Sequence, residues 1–236
     1  MLFAYPDSTR VGRILPKNSI YKNVTPTAKQ RELLTLQIEK ITWAHKLAPD
    51  TLNINASTEL PEIQVLAIRL KPQIAQISDS LLEYLDKAIP SALIFEVQGS
   101  SGIQTIACLK QINQNGSVKC SPYLYGAQQS VDAERQALPI SRDFTHLQQQ
   151  LLARLLPSSL QAGESLSAAI ERVQRISKLE KTIQQLEAQL LNKSMQFNRR
   201  VELNQQLKVA KQAIAVQSTE RQAPSTSPAN DMSNLQ

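Results

Sequence analysis

The stretch Glu62-Ile-Gln-Val-Leu-Ala-Ile-Arg-Leu70 carries apolar residues at both parities. A strand covered on one face alternates; a strand covered on both does not. This segment therefore reads as a central strand with a layer on each side. Immediately after it, Ile74, Ile77, Leu81, Leu85 and Ile89 recur at helical spacing up to Pro90. Ala92-Leu-Ile-Phe-Glu-Val97 is then a second short apolar strand. Gly99-Ser-Ser-Gly102 turns the chain into Ile103–Ile112, Asn113-Gln-Asn-Gly116 has hairpin-turn chemistry, and Val118–Tyr125 returns. Upstream, Thr25-Pro26 predicts a helix start. Leu34, Ile38, Ile41 and His45 share one face of that helix, which Pro49 ends. Leu52–Ile54 reads as a short strand and Asp143–Leu156 as a helix. The class is α+β, a mixed sheet with flanking helices, over residues 1–157.

A different kind of sequence follows. Glu164 to Ala223 contains neither glycine nor proline and is rich in helix formers. Ile176, Leu179, Ile183, Leu186 and Leu190 form a narrow seam at spacings of three and four. The frame then shifts, and Leu203, Leu207, Ala210 and Ile214 make a second apolar set. Such a shift marks a stutter or a change of packing partner. Sixty residues of straight helix would reach about 90 Å. A globular part of residues 1–157 has a radius of gyration of only about 15 Å. So residues 158–216 are expected to be a long, coiled-coil-like helix. It must project, fold back as a hairpin or pair with another chain. Between the two sets lies a polar block. Gln196, Phe197, Asn198, Arg199, Arg200, Glu202 and Asn204 are its candidate partner-binding residues, against the plainer reading of a solvated helix face. Residues 217–236 lack an apolar period and are expected to be disordered.

The formal net charge is +6. Residues 1–157 carry 16 Lys and Arg against 13 Asp and Glu, and residues 158–223 carry 10 against 6. No block of five like charges occurs, so the basicity permits weak nucleic-acid contact without marking a site. Cys108 and Cys120 read as buried small hydrophobes in a reducing compartment. No membrane span and no signal peptide are evident, which points to the cytoplasm.

Catalytic and cofactor signatures are missing. Gly99-Ser-Ser-Gly102 lacks the remaining parts of a phosphate loop. Glu62, Lys71, Glu96 and Lys110 lie in or beside strands, but there is no Glu-x-Lys or Asp-x-Lys of the kind a metal-dependent nuclease uses. His45 and His146 have no ligand spacing with the cysteines. His45 reads as a structural histidine near a helix end rather than a base. No catalytic residue, cofactor or metal is assigned.

Several stretches together resemble one family. They are Leu15-Pro-Lys17, Ile41-Thr-Trp-Ala-His-Lys-Leu47, Asp50-Thr-Leu-Asn-Ile54, Glu62-Ile-Gln-Val65, Ile68-Arg-Leu-Lys71, Asp86-Lys-Ala-Ile-Pro90, Ile94-Phe-Glu96 and Gln196-Phe-Asn-Arg-Arg-Val-Glu-Leu-Asn204. The chain is similar, to about Ile214, to the bacterial and archaeal domain-of-unknown-function family numbered four thousand three hundred and ninety-one. That resemblance implies a place beside helicases and DNA methyltransferases in restriction-modification and phage-defence loci, and supplies no activity. The expected function is a non-enzymatic accessory or assembly subunit whose long helix binds a protein partner or its own copy. A nucleic-acid-binding accessory domain is the alternative, and an unrecognised nuclease or hydrolase a lesser one.

Overall fold

A computed structural model of the chain describes all residues except 22, 58–59, 113–117, 192–195 and 220–236. It divides into two units, residues 1–170 and residues 171–236. In the first, strands β1 (Phe3–Ala4) and β2 (Arg10–Ile14) precede the short helix α1 (Lys17–Tyr21) and α2 (Ala28–Gln37). Next come β3 (Ile38–Leu47), α3 (Pro49–Leu52), β4 (Ile63–Leu70), α4 (Asp79–Ala88), β5 (Ala92–Gly99) and β6 (Gly102–Ala107). Then follow β7 (Lys110–Ile112), β8 (Val118–Cys120), β9 (Leu124–Tyr125), β10 (Gln136–Ala137) and α5 (Phe144–Ala153). Two long helices, α6 (Leu166–Leu190) and α7 (Phe197–Thr219), complete the chain.

The main sheet has the order β2-β3-β4-β5-β6-β9. Every neighbouring pair is antiparallel except β4 and β5, which run parallel with Ile63 opposite Ala92 and Arg69 opposite Gln98. Parallel neighbours need a crossover, and α4 supplies it. β4 is covered on both faces, as its mixed parity requires. Leu66, Ile68 and Leu70 enter one core with Leu34 of α2 and Leu81, Leu82 and Leu85 of α4. Ile63 and Val65 enter the other with Phe144, Leu147 and Leu151 of α5 and with Leu166 and Ile170 from the start of α6. This is the expected mixed sheet with flanking helices.

The largest departure from the sequence reading is β3. Ile38–Leu47 is a ten-residue strand, not the end of a helix. The helix before it starts two residues later than read. Thr27 Oγ1 accepts from Gln30 N, and Gln30 Oε1 accepts from Thr27 N, a reciprocal cap. It stops at Gln37. Two irregularities in the β3–β4 register, between Ile38 and Lys40 and between Trp43 and His45, explain the misreading. A bulge adds one residue to a strand. It therefore stretches same-face spacing from two to three, which in sequence imitates a helix turn. Ile38 and Ile41, three apart, line the same core. Pro49 opens α3 instead of closing a helix, and Leu52–Ile54 is not a strand.

Smaller differences follow local chemistry. α4 starts at Asp79, so Ile74 and Ile77 lie before it. The strand read over Ile103–Ile112 breaks at Cys108 and Leu109 into β6 and β7. The turn at Asn113–Gly116 lies outside the described residues, apart from the pairing of β7 with β8 that flanks it. At the β5–β6 turn Gly102 holds φ +128°, and a Cβ there would sit 2.1 Å from the Gln129 carbonyl oxygen. Only glycine fits that backbone.

The C-terminal stretch, expected as a long helix that projects, folds back or pairs, is two long helices, α6, which begins before residue 171, and α7. The second returns to the first, since Lys211 Nζ lies 2.8 Å from Glu187. Leu186, Leu203 and Ala210 are buried, while Ile176, Leu179, Ile183, Leu190, Leu207 and Ile214 are half-buried. The shift of apolar frame coincides with the change of helix. The region read as a disordered tail lies outside the described residues from 220 onward, and α7 runs to Thr219. Among the described residues, no helix is long and apolar enough to cross a membrane.

Candidate functional site

The polar groups of the first unit fall into separate clusters. The bulge between Trp43 and His45 changes which face β3 presents, so Trp43 packs on the α4 side. His45 stacks on Tyr5, with ring centroids 4.6 Å apart. Its Nδ1 lies 2.9 Å from Thr9 Oγ1, whose proton goes to the Pro6 carbonyl at 2.6 Å. The Thr9 oxygen therefore accepts from Nδ1–H, which leaves the Nε2 lone pair on neutral imidazole. Burial lowers the imidazole pKa, opposed in part by the negative charge of Glu96.

Beside it, Arg135 grips the buried Glu96 through two bonds, at 2.7 and 2.9 Å, and donates to the Phe3 carbonyl at 2.8 Å. Such a fork is the strongest geometry available to a carboxylate. It ties β1 and β10, which pair with each other, to the centre of the sheet. The Tyr5 hydroxyl is held far above its ordinary pKa, first by burial and then by Glu96. With Tyr5 locked neutral and Arg135 committed to Glu96, this cluster is a latch for the N-terminal segment.

A second cluster lies where α4 meets β7 and β8. Lys110 Nζ donates to the carbonyls of Asp86 at 2.5 Å and Ser91 at 2.8 Å, and also to that of Ile89. Its side chain is 2% exposed, and that of Asp86, 3.6 Å away, 1%. Tyr123 Oη donates to Asp86 Oδ2 at 2.7 Å, and Cys108 Sγ donates to the same oxygen at 3.5 Å. One ligand-capable atom from each of Asp86, Cys108 and Cys120 lies within 4.8 Å of the others. Burial raises the Asp86 pKa against the pull of Tyr123 and Lys110, and lowers that of Lys110 against the pull of Asp86. The ammonium is hydrogen-bonded to three carbonyls and charge-paired with Asp86.

The four strand-margin residues Glu62, Lys71, Glu96 and Lys110 do not meet. Glu62 accepts from Ser91 and Gln64 and lies 3.9 Å from Lys46. Lys71 follows the opposite end of β4 from Glu62. Glu96 belongs to Arg135, and Lys110 to Asp86. Cys108 is buried as read, whereas Cys120 is half-buried. His146 sits on α5 within reach of Gln150 Nε2, at 3.0 Å from its Nε2.

The candidate partner-binding residues all lie at the start of α7. Gln196, Phe197, Asn198, Arg199, Glu202 and Asn204 are exposed and Arg200 is half-buried. Much of this block is tied within the helix. Arg199 pairs with Glu202 at 2.7 Å, and Asn204 Nδ2 donates to the Arg200 carbonyl at 3.0 Å. Phe197 is different, being 79% exposed.

It is also not alone. Val201, Val209 and Val216 are 49%, 61% and 61% exposed. At about 100° per residue, these four fall within about 120° of arc. Leu203, Leu207, Ala210 and Ile214 occupy the opposite side. α7 thus bears two apolar stripes, an inner one that is buried or half-buried and an outer one that is exposed. Sequence reading found the inner stripe and Phe197 but passed over the valines. Their one-turn and two-turn spacing was the available signal.

Residues 3–214 match the model of a family described as Domain of unknown function (DUF4391), and the chain belongs to that family. No curated protein and no solved structure matches it.

Proposed function

We propose that this member of the family is a non-enzymatic assembly subunit, and that the outer stripe of α7 is its docking face. The partner is a helicase or DNA methyltransferase of a restriction-like defence system, engaged through an acidic amphipathic segment. The observation that carries this reading is the exposed second apolar stripe, Phe197, Val201, Val209 and Val216, on a helix whose other apolar side is buried or half-buried. A helix needs one apolar face to pack on its own protein. A second face is what helix-in-groove or helix-on-helix recognition uses.

Charge argues for the sign of the partner. α7 carries Arg199, Arg200, Lys208 and Lys211 against Glu202 alone. A second copy would bring positive against positive, whereas an acidic segment complements it. The Glu96–Arg135 fork supports the non-enzymatic part, since its charged groups are spent on each other.

Co-expression with the helicase or methyltransferase encoded alongside tests this. The wild type is expected to co-purify with one of them, and V201E/V209E to lose it while retaining its melting temperature. Retention of the complex by the folded double variant overturns the reading. So does a wild-type chain that only dimerises or only binds DNA.

A further inference from the structure

We propose that Cys108 and Cys120 form a redox-active dithiol site whose substrate is a low-molecular-weight disulfide of the glutathione type. These are the only two cysteines of the chain, and they are separated by β7 and the residues before β8. The fold nevertheless places their sulfur atoms within 4.8 Å. They differ in access: Cys108 is 2% exposed, and Cys120 is half-buried. One can meet a solute and the other can only meet its neighbour.

The surroundings are unlike those of two packing residues. Cys108 Sγ donates to the carboxylate of Asp86, and Lys110, whose backbone pairs directly with Cys120, places a buried ammonium beside the same carboxylate. Buried charges are costly to desolvate, and titratable groups perturbed by burial and a charge partner cluster at functional sites. The contact between the two thiols raises Cys108 and lowers Cys120, the latter opposed by burial. Access sets the roles: the half-buried Cys120 is the attacking thiol and the buried Cys108 the resolving one.

The exchange balances in two steps. Cys120 loses its proton, and its thiolate attacks one sulfur of the disulfide R–S–S–R. This forms Cys120–S–S–R and expels R–S⁻, which takes up a proton. Cys108 then passes its proton to Asp86 Oδ2 and attacks Cys120 Sγ. The second R–S⁻ leaves and is protonated in turn, the proton on Asp86 being released. Two protein thiols are oxidised to one disulfide, and the small disulfide is reduced to two thiols. The bond joins the end of β6 to β8. A divalent metal held by Asp86, Cys108 and Cys120 is the competing occupant, and the test below separates the two.

The test uses the full chain equilibrated in glutathione redox buffers, acid-quenched, unfolded and alkylated. Intact mass is expected to fall by the two hydrogens lost, with both cysteines protected from alkylation and no glutathione retained. C108S is expected to stop as a glutathione adduct on Cys120, and C120S to leave Cys108 unmodified. Two freely alkylated cysteines in wild type under oxidising buffer overturn the proposal. So does stoichiometric protection of both thiols by Zn²⁺ alone in the reduced protein. The wild-type readings decide the matter even where a serine variant misfolds.

Discussion

Replacing Lys110 with methionine removes one buried charge and leaves the other. Met has nearly the volume of the lysine stem, so packing changes little. What is lost is the ammonium, with its bonds to the carbonyls of Asp86, Ile89 and Ser91 and its attraction to Asp86. Breaking a fully buried pair costs about 3–5 kcal/mol. For a unit of this size, 1 kcal/mol moves Tm by about 2–4 °C, so the fall should be about 6–20 °C at neutral pH. The deficit should depend on pH in one direction. Burial already raises the folded-state pKa of Asp86 above its ordinary 3.8, and loss of Lys110 raises it further. In that window the folded state holds more protons than the unfolded one, so stability rises as pH falls. The variant's deficit should therefore shrink as the pH falls from neutral into the acidic range. D86N/K110M should recover part of the loss, because no unpaired charge remains. Thermal melts at neutral and mildly acidic pH make the measurement. A shift below about 2 °C, or a deficit that grows on acidification, would refute the electrostatic account of this cluster.

Two further outcomes concern the rest of the body. G102A should lose at least about 2 kcal/mol in urea unfolding, because an L residue is strained there and its Cβ would overlap the Gln129 carbonyl. A loss under about 0.5 kcal/mol would mean that the β5–β6 turn is not as described. His45 should titrate by NMR below its ordinary 6.5, since burial disfavours the imidazolium. Its contribution to stability is present above 6.5 and lost as pH falls through the folded value. A midpoint at or above 6.5 would contradict the stacked, neutral imidazole.

The layered core was legible because β4 and α4 are locally consistent: parity of apolar residues in one, period in the other, and Pro90 between α4 and β5. β3 was not legible. The bulge between Ile38 and Lys40 spreads Ile38 and Ile41 to a helical spacing, and only pairing with β4 decides between the two structures. The C-terminal stretch shows the opposite limit. Nothing between Glu164 and Ala223 breaks a helix by composition, so the division into α6 and α7 left only an indirect trace, the shift from the Ile176–Leu190 frame to the Leu203–Ile214 frame. The buried cluster could not be assembled from sequence, since Asp86 comes from α4, Cys108 from the end of β6, Lys110 from β7 and Cys120 from β8. One hint existed in retrospect. Asp86 sits among Leu81, Leu82, Leu85 and Ala88 on the buried side of α4, where an acid needs a partner.

The proposed docking role of α7 is tested most directly by a photoreactive amino acid placed at Val209, on the outer stripe, in the protein expressed in its own host. Illumination should join it to an acidic amphipathic segment of a helicase or DNA methyltransferase, identified by the cross-linked peptide, and the added substitution V201E should abolish the product. Cross-links only to another copy of this chain, or a product unchanged by V201E, would contradict the account.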